Sequence, residues 1–482
     1  MSCRYLFLAI LMVLLHFSPG KAQDFDTIRN EQIFRLRGYV LNAIRFSGLV
    51  RDSLVLDGSS FHPATPDAAG FALLSLSAFD HLGLQSDADQ RVIKILNAHL
   101  GLTPGVSPER SADGHFIHFM NVDTGAAAPC CWDDSYSPIG SALLVAGAQF
   151  AKRHFSGNTT IASLADQLTA SIDFNAAIHP SLDGRIYLDM TKEGGGSGGA
   201  LRPWNEYMLV ESLALRQPNN DRALAVKDLW LDTNSLPQIS YEGIPTLTDN
   251  VNRFASGFWV QQMHFFNGDF RHNEEFETFF WNQRDADKMY STDILGESYR
   301  YGLTAGVSPQ GYHADRIGDH PDNVFSPEAV AAWGDMDTLL QFYNEQVSTT
   351  SPSYKFGMVR VSATEPNWLP NDAGLVDHLF LLFGLVESID PDFFADRLFP
   401  AFVEGDFDND GDVDGSDFLA WQRGESPGGS LSPIDLTVWH SNYGTPPANS
   451  ATNVVPEPTT IKVLLGFMIV LLRRLPRCQI RA

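Results

Sequence analysis

The sequence has 482 residues, 44% of them apolar and 11% aromatic, including 33 Phe. That is enough apolar material for a sizeable core, and the length calls for two or three folded units rather than one. A formal net charge of −25 argues against nucleic acid and anionic lipid as partners, because both are bound through basic patches; a neutral polymer suits it.

Residues 1–22 read as a secretory signal peptide. Arg4 supplies the positive start, Tyr5 to Leu15 is unbroken apolar, and Gly20-Lys21-Ala22 offers a small-residue cleavage site. The alternative, a membrane anchor, is disfavoured because that run is short of the roughly 20 residues a span needs. The mature chain is therefore expected to meet an oxidising environment. Its remaining cysteines there, Cys130 and Cys131, would form a vicinal disulfide or stay buried as thiols. Two adjacent sulfurs lack the ligand spacing of a zinc site.

Residues 23–400 are expected to form one large domain, and helical periodicity dominates residues 26–390. Ile33, Leu36, Val40, Leu41 and Ile44 share one face; Ile139, Leu143, Ala146 and Phe150 share another; Val330, Trp333, Met336, Leu340 and Tyr343 share a third. Further helices are predicted near 66–82, 88–100, 158–172, 204–215, 252–265, 274–290 and 373–388, with little strand-like alternation between them. The fold class is all-α, and a closed ring of helix pairs is the preferred arrangement.

Composition shifts after Pro400. Residues 401–450 hold nine acids against one arginine, Arg423, and Asp417-Phe-Leu-Ala-Trp421 recurs as Asp435-Leu-Thr-Val-Trp439. A small independent module over 401–445 is expected, followed by a linker, 446–455. In Asp406 to Asp417, carboxylates fall at positions 1, 3, 5, 9 and 12 of a twelve-residue loop, with Gly411 at position 6. A hard cation wants oxygen ligands wrapped around it, and the glycine permits the sharp turn between them. The expected calcium ligands are Asp406, Asp408, Asp410, the Asp412 carbonyl, Asp414 directly or through water, and Asp417. The second repeat, Gly424 to Asp435, lacks the carboxylates at positions 1, 3 and 5, so one calcium is predicted.

Aspartate at position 12 and the short Phe-Leu-Ala-Trp helix make this module resemble dockerins, a likeness that implies a cohesin-like partner; a calcium-stiffened spacer is the rival reading. At the C-terminus, Val455-Pro456-Glu457-Pro458-Thr459-Thr460 precedes an apolar stretch, Val463 to Leu472, and then Arg473, Arg474, Arg477 and Arg481. Residues 456–482 resemble the PEP-CTERM sorting tail, which implies an envelope transpeptidase as partner and a secreted or cell-envelope location. A plain membrane anchor with its arginines inside is the alternative.

Loops of the helical domain carry residues suited to sugars, whose rings stack on aromatic faces and whose hydroxyls bind carboxylates. They include Asp113 to Phe119 with His115 and His118, Trp204-Asn205-Glu206-Tyr207-Met208, Tyr301 to Ala305, Gly311-Tyr312 and Asn371-Asp372-Ala373-Gly374. Gly48-Leu49-Val50-Arg51-Asp52, Ala69 to Leu73, His118-Phe119 with Asp123 and Gly125, Ala142 to Gly147, Trp204 with Glu206, Gly302 to Ala305, and Ser326-Pro327-Glu328-Ala329 follow one another in an order similar to bacterial glucoamylase-like proteins, which include the endo-β-1,2-glucanases. The resemblance spans about residues 30–390. It implies an (α/α)6 toroid and an inverting hydrolase of a β-glucan or related exopolysaccharide.

Such hydrolysis needs an acid for the leaving oxygen and a carboxylate to activate water. The resemblance points to Glu206 as acid or base and to Asp372 at the sugar or in catalysis. A helix-terminal carboxylate is the structural alternative for Glu206, and an Asx-turn for Asp372. Asp134 or its neighbour Asp133 is the candidate second carboxylate. Trp204, His115, His118, Tyr312 and Trp132 are the candidate substrate-binding residues, with His118 equally readable as a core histidine. Trp259, Trp281 and Trp368 divide between platform and core. Gly140 stands where the family commonly has an acid, and Tyr301 where it often has tryptophan. The competing functions are a non-catalytic glycan-binding or scaffold protein and a polysaccharide lyase, for which Arg271-His272 is the nearest basic group.

Overall fold

The computed structural model describes residues 24–56, 62–128, 135–249, 256–297, 299–319, 323–346 and 352–446. The expected signal peptide and sorting tail, nearly all of the expected linker, Cys130, Cys131, Trp132, Asp133 and Asp134 lie outside the described residues. No helix among the described residues is long and apolar enough to cross a membrane.

Among the described residues, thirteen helices build the large domain: α1 (Phe25–Ala43), α2 (Pro66–His81), α3 (Ala88–His99), α4 (Pro138–His154), α5 (Thr159–Ala170), α6 (Met208–Leu215), α7 (Asp221–Leu231), α8 (Gly257–Phe266), the single turn α9 (Gly268–Arg271), α10 (Glu274–Asp293), α11 (Pro327–Ala332), α12 (Met336–Gln346) and α13 (Leu375–Glu387). Among them α2, α4, α6, α8, α11 and α13 form a closed inner ring, each packed on the next and α13 returning to α2. The others, apart from α9, lie outside. This is the expected (α/α)6 arrangement.

Sequence explains the two layers. Inner helices are apolar all round: α2 buries Ala68 through Phe79 without a break. The polar Ser75 and Ser77 in that run donate to the Phe71 and Leu73 carbonyls at 2.8 and 2.9 Å, so no buried hydroxyl is left wanting. The outer α3, by contrast, buries one stripe of Val92, Ile95, Leu96 and His99. Three inner helices open with a Ser/Thr-Pro pair: Thr65-Pro66, Ser137-Pro138 and Ser326-Pro327. The Thr65 and Ser137 hydroxyls cap amides of the first turn, while proline supplies a pre-set φ where no amide is needed. Glycines let ring neighbours touch: a Cβ on Gly70 would strike the Leu143 carbonyl, and one on Gly384 the Ala331 carbonyl. The ring's centre is filled by phenylalanines, with Phe71 against Phe266, Phe380 and Phe383, and Phe265 against Phe394.

Among the described residues, strand is confined to short pairs, in keeping with the sparse alternation: β1 (Ser53–Val55), β2 (Ile186–Tyr187), β3 (Ala200–Leu201), β4 (Gln238–Tyr241), β5 (Ile244–Leu247), β6 (Ala305–Ser308), β7 (Gly311–Ala314), β8 (Val324–Phe325), β9 (Val361–Ser362) and β10 (Asp372–Gly374). Two helix expectations need correction. The face running from Val330 to Tyr343 belongs to two helices, because Gly334 at φ +69° turns the chain and Asp335 restarts it by accepting from the Thr338 amide at 3.1 Å. Residues Trp204 to Tyr207 form a turn ahead of α6 rather than its first turn.

After Pro400 come α14 (Gly415–Arg423) and α15 (Pro433–Asn442). The repeat seen in the sequence is a reciprocal pair of hydrogen bonds. The Trp421 indole donates to the Ser432 carbonyl at 2.8 Å, and the Trp439 indole donates to the Asp414 carbonyl at 2.7 Å. Ser432 and Asp414 are the N-caps of the opposite helices, so each half locks the start of the other. This module is seated on the large domain through Lys227 with Glu404 at 2.5 Å, and through the Asn219 amide donating to the Pro427 carbonyl at 3.2 Å.

Candidate active site

The inner helices present their N-termini at one end of the ring; a Cβ on Gly140, at the start of α4, would lie 3.0 Å from the Pro66 ring at the start of α2. Asp67, Glu328 and Asp377 occupy the first turns of α2, α11 and α13, where the helix dipole favours negative charge. Glu206 stands just ahead of α6.

A long-range strand pair completes this end. β1 runs antiparallel to β10, with Ser53 opposite Gly374 and Val55 opposite Asp372, which brings Asp52 and Asp372 to one place from opposite ends of the domain. The Ser53 hydroxyl donates to the Ala373 carbonyl at 2.8 Å and lies 3.4 Å from Asp372 Oδ1. From below, the Tyr39 hydroxyl donates to the same carbonyl at 2.5 Å. The His62 ring is 3.5 Å from Asp372 Oδ2.

Above the strand pair is a cavity of about 550 Å³ lined by Asp52, Asp67, Asp372 and Asp377, by His62 and His118, and by Tyr312. No lysine or arginine is among its described lining residues. Burial, then the charge of Asp67, push the Asp52 carboxyl up to about 7, against the opposing pull of His118 and His62. Asp52 therefore keeps its proton to a much higher pH than an ordinary carboxyl does. Asp377, only 9% exposed, is raised well above the usual carboxylate range by burial, with Arg360 opposing and Asp52 adding. Behind these, His378 meets Glu328 Oε1 at 3.1 Å and the Phe356 carbonyl at 2.9 Å. Carboxyls with displaced proton affinities in a concave site are the arrangement that acid–base catalysis requires.

The predicted residues are distributed unevenly. Asp372, His118 and Tyr312 line the cavity, and the His118 ring stacks on Phe119 at 4.1 Å. His115 is a core residue, fully buried against Phe174 with its Nε2 on the Asp173 carbonyl at 3.1 Å. Trp204 is also corrected to core: it is fully buried between Trp259 and Phe270, so its ring has no face to offer a sugar. Burial pushes the Glu206 carboxyl up to about 7, with the Trp259 indole pulling the other way, but Glu206 does not line the cavity. Asp134 and Trp132 lie outside the described residues. Gly140 has a packing role, since a side chain there would press on Pro66 and on Ser137 Oγ, 3.1 Å away. Arg271, the basic group that a lyase reading leans on, is spent on Glu387 at 3.0 Å and on His264.

Sequence reasoning passed over Asp52, Asp67, His62, Asp377 and Glu328. Asp52 and Glu328 sat inside motifs used only for resemblance, and Asp67 reads as ordinary helix-start chemistry. Asp377 carried a signal that could have found it: a lone acid inside the apolar run Leu375 to Leu382.

In the acidic loop, Gly411 takes φ +103° as position 6 demands. Carboxylate oxygens of Asp406, Asp408 and Asp410 lie within 4.8 Å of one another, as do those of Asp412, Asp414 and Asp417. The Asp417 carboxylate accepts from the Phe407, Asp408 and Asp414 amides at 2.6, 3.2 and 2.7 Å, which folds the loop back on itself. Burial and mutual repulsion push Asp406 up to about 7 and Asp408 to about 6. A set of hard oxygen donors crowded against its own charge fits a divalent cation such as calcium.

No protein-family model matches the sequence, and no curated protein sequence matches it. Comparison of folds places the large domain in one class, the helical toroid of glucoamylase-like and endo-β-1,2-glucanase structures. An endo-β-1,2-glucanase from Chitinophaga pinensis, solved with sophorotriose and glucose, superposes with a TM-score of 0.66 at 18% identity, over 78% of this chain and 95% of that one. A protein described as a putative glucoamylase from Bacteroides fragilis gives 0.65 at 18% identity, over 79% and 95%. An endo-β-1,2-glucanase from Talaromyces funiculosus, in complex with sophorose, gives 0.54 at 13% identity, over 77% and 88%.

Proposed function

We propose that this chain is an exported glycoside hydrolase that cleaves a β-glucan or related exopolysaccharide with inversion at the anomeric carbon. The observation that carries the reading is the pairing of β1 with β10, which brings Asp52, its carboxyl raised to about 7 by burial, and Asp372 into the wall of one cavity that also holds an aromatic ring. In this mechanism Asp52 gives its proton to the leaving glycosidic oxygen as the bond to the anomeric carbon breaks. Water attacks that carbon from the opposite face, and Asp372 takes the water's proton. Burial, with the charge of Asp67 adding to it, raises the proton affinity of Asp52, and His62 orients Asp372. Glu206 is the competing acid, supported by its raised proton affinity. The fold shared with endo-β-1,2-glucanases solved with sophorotriose and glucose or with sophorose supports the substrate class.

The acidic loop of the C-terminal module binds one calcium through Asp406, Asp408, Asp410, Asp412, Asp414 and Asp417, with a structural role. The N-terminal signal exports the protein, the C-terminal tail is the target of an envelope transpeptidase, and the paired module presents a face to a cohesin-like partner. A second reading, glycan binding without hydrolysis, is favoured by Gly140, which stands where the resemblance expects an acid and where an added Cβ would crowd the Pro66 ring at 3.0 Å and Ser137 Oγ at 3.1 Å. Reducing-end release from a panel of β-glucans separates the two. Asp52→Asn abolishes release under the hydrolase reading, whereas binding without release by the wild type supports the second.

A further inference from the structure

Among the described residues of the cavity wall, Tyr312 is the large aromatic open to water, at 70% exposure. It lies on β7, next to the two-residue turn joining β6 to β7, with Val307 paired opposite. A two-stranded hairpin has little stability of its own, so an exposed ring carried on one is held in place only if the base of the hairpin is fixed.

Arg360 fixes it. This buried guanidinium donates to the Val307 carbonyl from Nη1 at 3.2 Å, and from Nη2 to the Thr304 carbonyl at 3.2 Å and to Asp315 Oδ2 at 2.6 Å. Thr304 enters β6 and Asp315 leaves β7, so one planar cation grips both legs. Asp315 is 1% exposed and Arg360 4%, and breaking such a pair leaves a buried charge unmatched. The Asp315 backbone is also tied down: its amide donates to the Thr304 carbonyl at 3.1 Å, and its carbonyl accepts from the Ser256 hydroxyl at 2.6 Å. Gly306, at φ +147°, supplies the space, since a Cβ there would strike Arg360 Nη1.

We propose that Arg360 and Asp315 are positioning residues that hold the hairpin so that Tyr312 presents its ring as the stacking wall for a sugar next to the scissile bond. This inference rests on the glycan-cleft reading. Its class of ligand is a neutral pyranose with an apolar face, which the acidic and lysine-free lining also selects.

The test uses the full-length protein and a soluble linear β-glucan, with kinetics for hydrolysis and calorimetry for binding of its oligosaccharides. Tyr312→Ala is expected to raise KM about tenfold with kcat changed less than about threefold, and Tyr312→Phe to stay near wild type. Arg360→Lys and Gly306→Ala, each with the ring intact, are expected to raise KM in the same way. Combined with Tyr312→Ala, neither adds a further loss, because the wall is already gone. Additive losses, or a fall in kcat at constant KM, overturn the proposal. Should Arg360→Lys fail to fold by circular dichroism, Asp315→Asn and Gly306→Ala carry the same comparison. If the wild type cleaves no glucan, the hydrolase reading fails while calorimetry still decides this one. Oligosaccharide binding weakened equally by Tyr312→Ala and Arg360→Lys upholds it; binding unaffected by either, or absent altogether, overturns it.

Discussion

The Leu375 amide donates to the Asp52 carbonyl at 2.8 Å. This bond joins the residue that precedes β1 to the first residue of the last inner helix, more than three hundred positions away. It is the closure of the ring at its functional end, and it places the proposed acid against the start of α13, two residues before Asp377.

That position costs stability in a pH-dependent way. A carboxyl whose folded pKa is raised to about 7 from an ordinary value near 3.9 keeps its proton while the unfolded chain loses its own. Stability from this group is therefore full below about pH 4, falls between about pH 4 and 7, and stays at its lowest above 7. Asp52→Asn removes the penalty. Thermal melts of the two proteins should coincide at pH 4 and diverge at pH 8, with the variant more stable by on the order of 1–3 kcal/mol. Equal melts at both pH values would mean that Asp52 ionises normally.

Glu211 makes a parallel case away from the cavity. It is fully buried in α6, neither oxygen meets a hydrogen-bond donor among the described residues, and burial raises it well above the usual range. Glu211→Leu should stabilise the domain by about 1–3 kcal/mol at pH 8 and by less at pH 4. A destabilised variant would point to a polar partner that this packing does not reveal.

Close helix contact sets the third expectation. Gly384→Ala drives a Cβ into the Ala331 carbonyl where α13 crosses α11, and should cost about 1–3 kcal/mol. Gly83→Ala serves as a milder comparison, since nothing lies within 4 Å of its Cβ position although its φ is +68°. Denaturant titration with unchanged m-values measures both; an equal loss in the two variants would contradict the contact.

Calcium binding should show in the melting of the C-terminal module. With calcium at about a hundred times its Kd, the module gains about 2.7 kcal/mol. Chelation reverses the gain, and Asp408→Asn with Asp410→Asn abolishes it. A module indifferent to calcium and chelator would remove the cation from the account.

Much of the scaffold was legible because it is written in local chemistry. The periodic faces of α1 and α4 and the repeated Asp-x-x-x-Trp of the small module each depend on neighbours in sequence. The cavity was less so. Asp52 and Asp372 become neighbours only through β1 and β10, three-residue strands too short to show a period, and His62 enters through the loop that leaves β1. Trp204 misled because an aromatic beside an acid looks the same whether the ring faces a sugar or Phe270. His115 and His118 share one motif, and only the three-dimensional path of that loop sends the first to the core and the second to the cavity.

The central claim is that the Asp52–Asp372 pair cleaves a glycosidic bond. The most direct measurement is the initial rate of reducing-end release from a linear β-glucan at pH 6 by the purified wild type, Asp52→Asn, Asp372→Asn and Glu206→Gln. The account predicts release by the wild type, a loss of about 10²–10⁴-fold in each Asp variant, and a smaller loss in Glu206→Gln. Wild-type rates in Asp52→Asn and Asp372→Asn, with activity abolished in Glu206→Gln, would contradict it.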